Sequence, residues 1–237
     1  AVNTSTGAYL NRAYDVAVQG QYAYVVAYNN DALNIIDVSN PTALKLVGST
    51  TTNQYLNDAS GVAVAGNYVY VANDTGNNIS VWDVANPASP RFVTSTTQGQ
   101  LTRAYVLEVK GNYLYAVNVA TGGSLSIYDI SDPTQIRFTG SAPTSKNQPS
   151  WGIGYDLAVS GRYAYIVGNN SFTNAGMLTV IDISDPNRPS AVAEAEGTSS
   201  LIVLSIAVQG KYAYLGTNVN TSGFKIFDIS NPGSPTL

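Results

Sequence analysis

The chain has no cysteine and no histidine. Disulfides, thiol chemistry, Cys-His zinc sites and any Ser-His-Asp triad are therefore excluded. Charge is scarce as well. Only 11% of residues are charged, with 11 Lys+Arg against 15 Asp+Glu and a pI near 4.6. An ordinary soluble domain carries about 25%, and the acidic balance argues against a nucleic-acid or anionic-membrane surface. No run of 18 apolar residues spans a bilayer, and no basic segment followed by an apolar one opens the chain. Ala at the first position suggests a processed or trimmed form, as removal of a signal peptide would leave. Glycine-rich phosphate loops, dinucleotide fingerprints and basic patches are missing too.

What is present is repetition. One phrase reads DVAVQGQYAYVV (15–26), GVAVAGNYVYVA (61–72), VLEVKGNYLYAV (106–117), DLAVSGRYAYIV (156–167) and SIAVQGKYAYLG (205–216). A second reads LNIIDVSNP (33–41), ISVWDVANP (79–87), LSIYDISDP (125–133), LTVIDISDP (178–186) and FKIFDISNP (224–232). The glycines of the first phrase, Gly20, Gly66, Gly111, Gly161 and Gly210, stand 46, 45, 50 and 49 residues apart. Repeats of about 40–50 residues holding several short strands are the signature of propeller blades. Within each, a hairpin turns at the glycine, a third strand ends at Asp-x-x-x-Pro, and a weaker fourth strand follows.

The spacing predicts an all-β single domain over 1–237: a five-bladed β-propeller of four-stranded antiparallel blades. From the Pro of the second phrase to the next anchor glycine the distances are 25, 24, 28 and 24 residues. Five residues follow Pro232 and twenty lead up to Gly20, which together restore the same interval. The N-terminal segment is therefore expected to complete the C-terminal blade as its fourth strand and close the ring, leaving few open edges. A window cut from a longer array is the alternative.

These phrases resemble the LVIVD-repeat family of bacterial and archaeal proteins, and the resemblance covers essentially the whole chain. It implies a β-propeller of an exported or cell-surface protein and no shared chemistry.

Function is sought where the repeat breaks. The glycine turns and Asp-x-x-x-Pro turns fall on one rim and are nearly constant, so the opposite rim is the candidate binding face. Its longest connections are SAPTSKNQPSWGIGY (141–155) and NNSFTNAG (169–176). Trp151, Tyr155, Asn169, Asn170 and Phe172, with Arg12 and Arg103 in matched loops, are the candidate ligand-binding residues. Aromatic rings among amides suit a glycan, since rings stack on sugar faces and amides pair with hydroxyls. Trp151 as a packing residue is the competing reading.

The five repeat aspartates (Asp37, Asp83, Asp129, Asp182, Asp228) read as turn holders. Asp15, Glu108 and Asp156 break the pattern on the innermost strands, where five-bladed propeller glycosidases place carboxylates, and form the alternative catalytic set. Arg12 and Arg103 are candidates to neutralise them. No metal site is expected, although NDTGNN (73–78) loosely resembles a calcium loop without its spacing, which leaves calcium as a possible cofactor. Sequons at Asn3, Asn73, Asn78, Asn169 and Asn220 are candidate glycosylation sites in loops. The expected role is a non-catalytic extracellular or cell-surface module for binding or adhesion. Its partner is expected to be a glycan or a surface protein. A glycoside hydrolase or lyase and a self-assembling structural subunit are the alternatives.

Overall fold

A computed structural model of the chain describes residues 10–52, 54–99, 101–119, 122–146, 152–170, 175–196, 203–218 and 223–237. Among the described residues every regular element apart from one short turn is a β-strand, and the strands form five antiparallel sheets of four, four, four, four and three. The first sheet is β1 (Ala13–Gln19), β2 (Tyr22–Ala27), β3 (Ala32–Asp37) and β4 (Lys45–Thr51), and the second is β5 (Ala59–Ala65), β6 (Tyr68–Asn73), β7 (Asn78–Asp83) and β8 (Arg91–Thr96). The third is β9 (Ala104–Lys110), β10 (Tyr113–Asn118), β11 (Ser124–Asp129) and β12 (Arg137–Pro143). The fourth is β13 (Gly152–Ser160), β14 (Tyr163–Asn170), β15 (Gly176–Asp182) and β16 (Ser190–Glu196). In the fifth, β17 (Val203–Gln209), β18 (Tyr212–Thr217) and β19 (Phe224–Asp228) are followed by one antiparallel bridge from Asp228 to Thr236. The expected four-stranded blades thus hold for four repeats. Most of the segment assigned to the last strand of the fifth, residues 1–9, lies outside the described residues.

The chain divides into two compact units, Ala1–Leu114 with Asp129–Arg137, and Tyr115–Tyr128 with Phe138–Leu237. Both are built by the same rule. In the first four sheets the second and third strands are buried on both faces, so they read as nearly unbroken apolar runs such as YAYVVA and ALNIID. In the first unit Tyr24, Val26, Leu33 and Ile35 of the first sheet pack on Val62, Val69, Val71 and Trp82 of the second. In the second unit Tyr165, Val167, Leu178 and Val180 meet Ala213, Leu215 and Phe227 in the same way.

Two irregularities recur with the repeat. The first strand carries a bulge, between Ala13 and Asp15, Ala59 and Gly61, Gly154 and Asp156, and Val203 and Ser205. The third and fourth strands slip register at Ile35/Ile36, Val81/Trp82 and Val180/Ile181. Bulges bend and twist strands, which suits short sheets that fan out from their neighbours.

The Asp-x-x-x-Pro turn is built as two Asx turns in series. Asp37, Asp83, Asp129, Asp182 and Asp228 accept from the amides of Ser39, Ala85, Ser131, Ser184 and Ser230 at 2.8–2.9 Å. Three residues on, Asn40, Asn86, Asp132, Asp185 and Asn231 accept from Thr42, Ala88, Thr134, Asn187 and Gly233. The five aspartates hold turns, as their recurrence indicated.

The serine hydroxyls beside Asp37, Asp129, Asp182 and Asp228, and the Ala85 amide with Arg91 beside Asp83, hold these carboxyls below their ordinary 3.8. A depressed folded value gives stability that is present above the unfolded pKa and lost as pH falls through the folded one. Burial raises Asp15, which has the opposite sign and offsets a small part. Thermal melts from pH 7 to 2 should therefore show the melting temperature falling steadily below about pH 4. A flat or rising melting temperature there would remove the turns from the stability account.

Candidate functional site

Two of the three pattern-breaking acids, Asp15 and Asp156, are engaged by backbone amides. Within each unit, first strands of successive sheets touch: β1 meets β5, β5 meets β9, and β13 meets β17. At the bulge of β1, Asp15 accepts from its neighbour Val16 N–H at 2.8 Å and from Val62 N–H on β5 at 2.9 Å. Asp156 repeats the arrangement in the second unit, with Leu157 N–H and Ile206 N–H of β17, both at 2.8 Å. Each carboxylate thus ties one first strand to the next. Gly61 takes the same place in the second sheet, where a Cβ would overlap the Tyr105 carbonyl. Glu108 stands half-buried on β9 in the first unit.

Arg103 does not neutralise these acids. Its guanidinium grips Asp74 through Nε at 2.8 Å and Nη2 at 3.1 Å, and the Tyr28 hydroxyl donates to the same carboxylate at 3.2 Å. Asp74 is 2% exposed, so a charge buried there needs its partner. Burial, then the Asp74 and Asp58 charges, push the Tyr28 hydroxyl up to about 12. Arg12 lies flat against the tyrosines instead, its guanidinium carbon 4.4 Å from the Tyr28 ring centroid and 5.4 Å from that of Tyr14. Tyr14 in turn meets Tyr105 edge-on at 5.4 Å. The result is a compact Arg-Tyr-Asp network on the connections that vary between repeats.

The backbone beneath it is unusual. Arg12, Asp58 and Arg103, each eight residues before an anchor glycine, have φ of 56°, 54° and 58°, and Asp31 and Asn77 have 48°. Left-handed backbone is costly for most side chains, and Asp and Asn tolerate it best. Here the two groups interlock. The Asp58 amide donates to the Asp31 carboxylate at 2.7 Å, and the Arg103 amide donates to Asn77 Oδ1 at 2.8 Å. Sequence reading missed Asp31, Asn77 and the Asp74 pairing. The available signal was a polar residue six before the repeat aspartate in the first two repeats.

The mid-chain candidates fare unevenly. Trp151 and Phe172 lie outside the described residues. Ten residues before their anchor glycines, the spacing of Trp151, stand Leu56 and Leu101, 0% and 3% exposed. Tyr155 is half-buried on β13, beside Asp156. Asn169 is 4% exposed and its Oδ1 accepts from Val203 N–H at 3.2 Å, while Asn170 ends β14 paired to Gly152. The start of the long connection is tied down. Glu194 accepts from Ser145 Oγ at 3.0 Å and from the Lys146 amide at 2.7 Å, and Lys146 Nζ donates to the Val192 carbonyl.

Three glycosylation expectations need correction. Asn73, Asn78 and Asn169 sit in strands, not loops, at the end of β6, at the start of β7 and near the end of β14. Asn73 is fully buried, its Nδ2 donating to Val71 O, Asn78 Oδ1 and Ser80 Oγ, so the folded chain has no room for a glycan there. Asn169 is closed off by the same burial. Asn78 is half-buried, with Nδ2 on the Gly76 carbonyl. Asn3 and Asn220 lie outside the described residues. In NDTGNN, Asp74 belongs to Arg103, and no three acidic side chains gather to hold a metal among the described residues.

Against known proteins, the structural class comes first. The chain resembles a functionally unknown protein from Desulfotomaculum acetoxidans at a TM-score of 0.73 and 11% identity, over 96% of this chain and 69% of that one. It resembles a provisionally named 6-phosphogluconolactonase from Bacteroides fragilis at 0.71 and 15%, over 96% and 70%. It also resembles the β-propeller domain of Cps50 (Swd1) from Myceliophteria thermophila at 0.63 and 12%, over 88% and 66%. At such identities the likeness is of fold alone, and the fold is that of a β-propeller. The LVIVD repeat matches residues 12–52, 57–98, 103–144, 152–195 and 202–237, and the chain belongs to the LVIVD repeat family. No curated protein matches it.

Removing both sides of the Arg103–Asp74 pair should cost less than the two single removals added together. Arg103→Ala leaves a buried carboxylate with only Tyr28, at a cost of about 1–3 kcal/mol. Urea unfolding of Arg103→Ala, Asp74→Asn and the double variant should show the double losing less than the two singles together. Additive losses would mean that the pair carries no coupling.

Proposed function

We propose that this chain is a non-catalytic, exported binding module. Its variable connections, between second and third strands and between successive sheets, present a surface to a glycan or a surface protein. The observation that carries the reading is the fate of the acids. Two of the three acids of the alternative catalytic set, Asp15 and Asp156, each have both oxygens on backbone amides, and Asp74 is held by Arg103, which supports a module without paired catalytic carboxylates. Low charge and abundant Asn, Ser, Thr and Tyr suit recognition of neutral, hydroxyl-bearing surfaces. No helix among the described residues is long and apolar enough to cross a membrane.

The same reading includes a closed five-bladed ring, completed by residues before Leu10. Support comes from each end separately. The forward face of the fifth sheet leaves Phe224 59% and Ile226 45% exposed, whereas their counterparts Leu33 and Ile35 in the first sheet are 0% exposed. The backward face of the first sheet leaves Val16 and Val18 exposed, whereas their counterparts in the second sheet, Val62 and Val64, are buried and half-buried. The Asp228–Thr236 bridge starts the missing strand in the right direction. Deleting residues 1–8 should lower the stability of the whole domain in one cooperative transition. Local fraying with an unchanged main transition would contradict closure, and concentration-dependent assembly would instead point to pairing of these faces between copies.

Binding is tested on a broad glycan array, run with and without calcium. A specific hit that weakens at least tenfold in Trp151→Ala, with the melting temperature unchanged, places recognition on the long connection. A large drop in melting temperature would assign Trp151 to packing, as at Leu56 and Leu101. A blank array moves the partner to protein.

A further inference from the structure

A second recognition site emerges on the opposite, constant turns of the first unit. Between the first hairpin and the second Asp-x-x-x-Pro turn lies a cavity of about 290 Å³, whose lining includes Gln19, Gln21, Tyr22, Tyr24, Asn67 and Pro87. None of the lining residues is charged. The volume is near the lower limit for ligand pockets, with room for one ring rather than a chain.

Its walls are set. Gln19 reaches across to the second hairpin, donating from Nε2 to the Gly66 carbonyl at 2.8 Å and accepting from the Gly66 amide at 3.1 Å. That pairing copies a backbone ladder contact and fixes the spacing of the two hairpins. Gln21 Nε2 donates to the Tyr22 hydroxyl at 3.0 Å, which orients the ring at the rim of the cavity. Tyr24 sits deeper and is only 3% exposed as a residue, but its hydroxyl is not among the buried atoms left without a partner, so it keeps contact with solvent. A phenolic hydroxyl that pairs with water in the free protein can exchange that water for a ligand hydroxyl, acting as donor or acceptor. The Asn67 carboxamide, exposed on the other wall, is likewise without a protein partner among the described residues and offers both a donor and an acceptor.

We infer that this cavity binds one neutral, polyhydroxylated ring, a single sugar unit, through the Tyr24 hydroxyl, the Asn67 carboxamide and the face of Tyr22. The absence of charge disfavours phosphate and carboxylate ligands, which would lose hydration without a cationic partner. The mix of donors and acceptors matches hydroxyls, which are both, better than a proline-rich segment, which offers acceptors only. The site is separate from the variable connections and stands whether or not they bind a glycan.

The test is ligand-observed NMR on the full chain with glucose, galactose, mannose and N-acetylglucosamine, and with glucuronate as the charged control. At least one neutral sugar should bind, with glucuronate weaker. Tyr24→Phe removes only the hydroxyl and should weaken binding about tenfold without lowering the melting temperature. Asn67→Ala, on an exposed side chain, should weaken it independently. Trp151→Ala should leave it unchanged, which separates this site from the long connection. No neutral-sugar binding, or binding indifferent to both Tyr24→Phe and Asn67→Ala, would overturn the assignment.

Discussion

Each sheet of this protein has two apolar faces. Strands such as β3 and β11 bury nearly every side chain, on both sides, so a single sheet has no face for water. It survives only between two neighbours of matching shape, and burial of large aliphatic side chains at about 1.5–3 kcal/mol each supplies the driving force. That demand explains why the repeat keeps the same residues at the same places while its loops drift. It also explains why the two terminal faces stand out, since the same residue types appear there without cover.

Polar groups then serve alignment. Packed apolar faces slide easily, and the hydrogen bonds between sheets oppose sliding. Asp15 and Asp156 pin first strands, Gln19 pins one hairpin to the next, and Asp31 and Asn77 pin the connections above. Glycines allow closest approach where a side chain would block it. A Cβ on Gly48 would overlap the Pro87 carbonyl, and one on Gly140 would lie 2.5 Å from the Pro186 carbonyl. Most of the described aspartates are likewise committed, to turns, to neighbouring strands or to Arg103.

Much of the fold was legible because its punctuation is local. Glycine at the hairpin and Asp-x-x-x-Pro after the third strand mark strand ends within a few residues, and their spacing counts the repeats. The turn role of Asp37 and its counterparts followed from recurrence. What stayed hidden depends on partners far along the chain. Asp74 meets Arg103 across 29 residues, and nothing near Asp74 distinguishes a buried ion-pair member from a loop carboxylate. Asn73 and Asn169 matched a loop motif, but the ladder runs through them, Asn73 pairing with Asn78 and Asn169 with Gly176, and both are buried. The Tyr24 cavity was invisible for a related reason. The tyrosine pair recurs in every repeat and reads as packing until the space beside one of its hydroxyls is known.

The most direct test of the claim that every sheet face requires a partner compares two equivalent residues by equilibrium unfolding. Ile35, fully buried, should lose about 2–5 kcal/mol on replacement by Ala. Ile226 is its counterpart in the fifth sheet, 45% exposed in the described chain. If the terminal faces are covered in the working protein, Ile226→Ala should cost nearly as much as Ile35→Ala. A neutral Ile226→Ala beside a costly Ile35→Ala would show a face that stands in water, and would contradict the account.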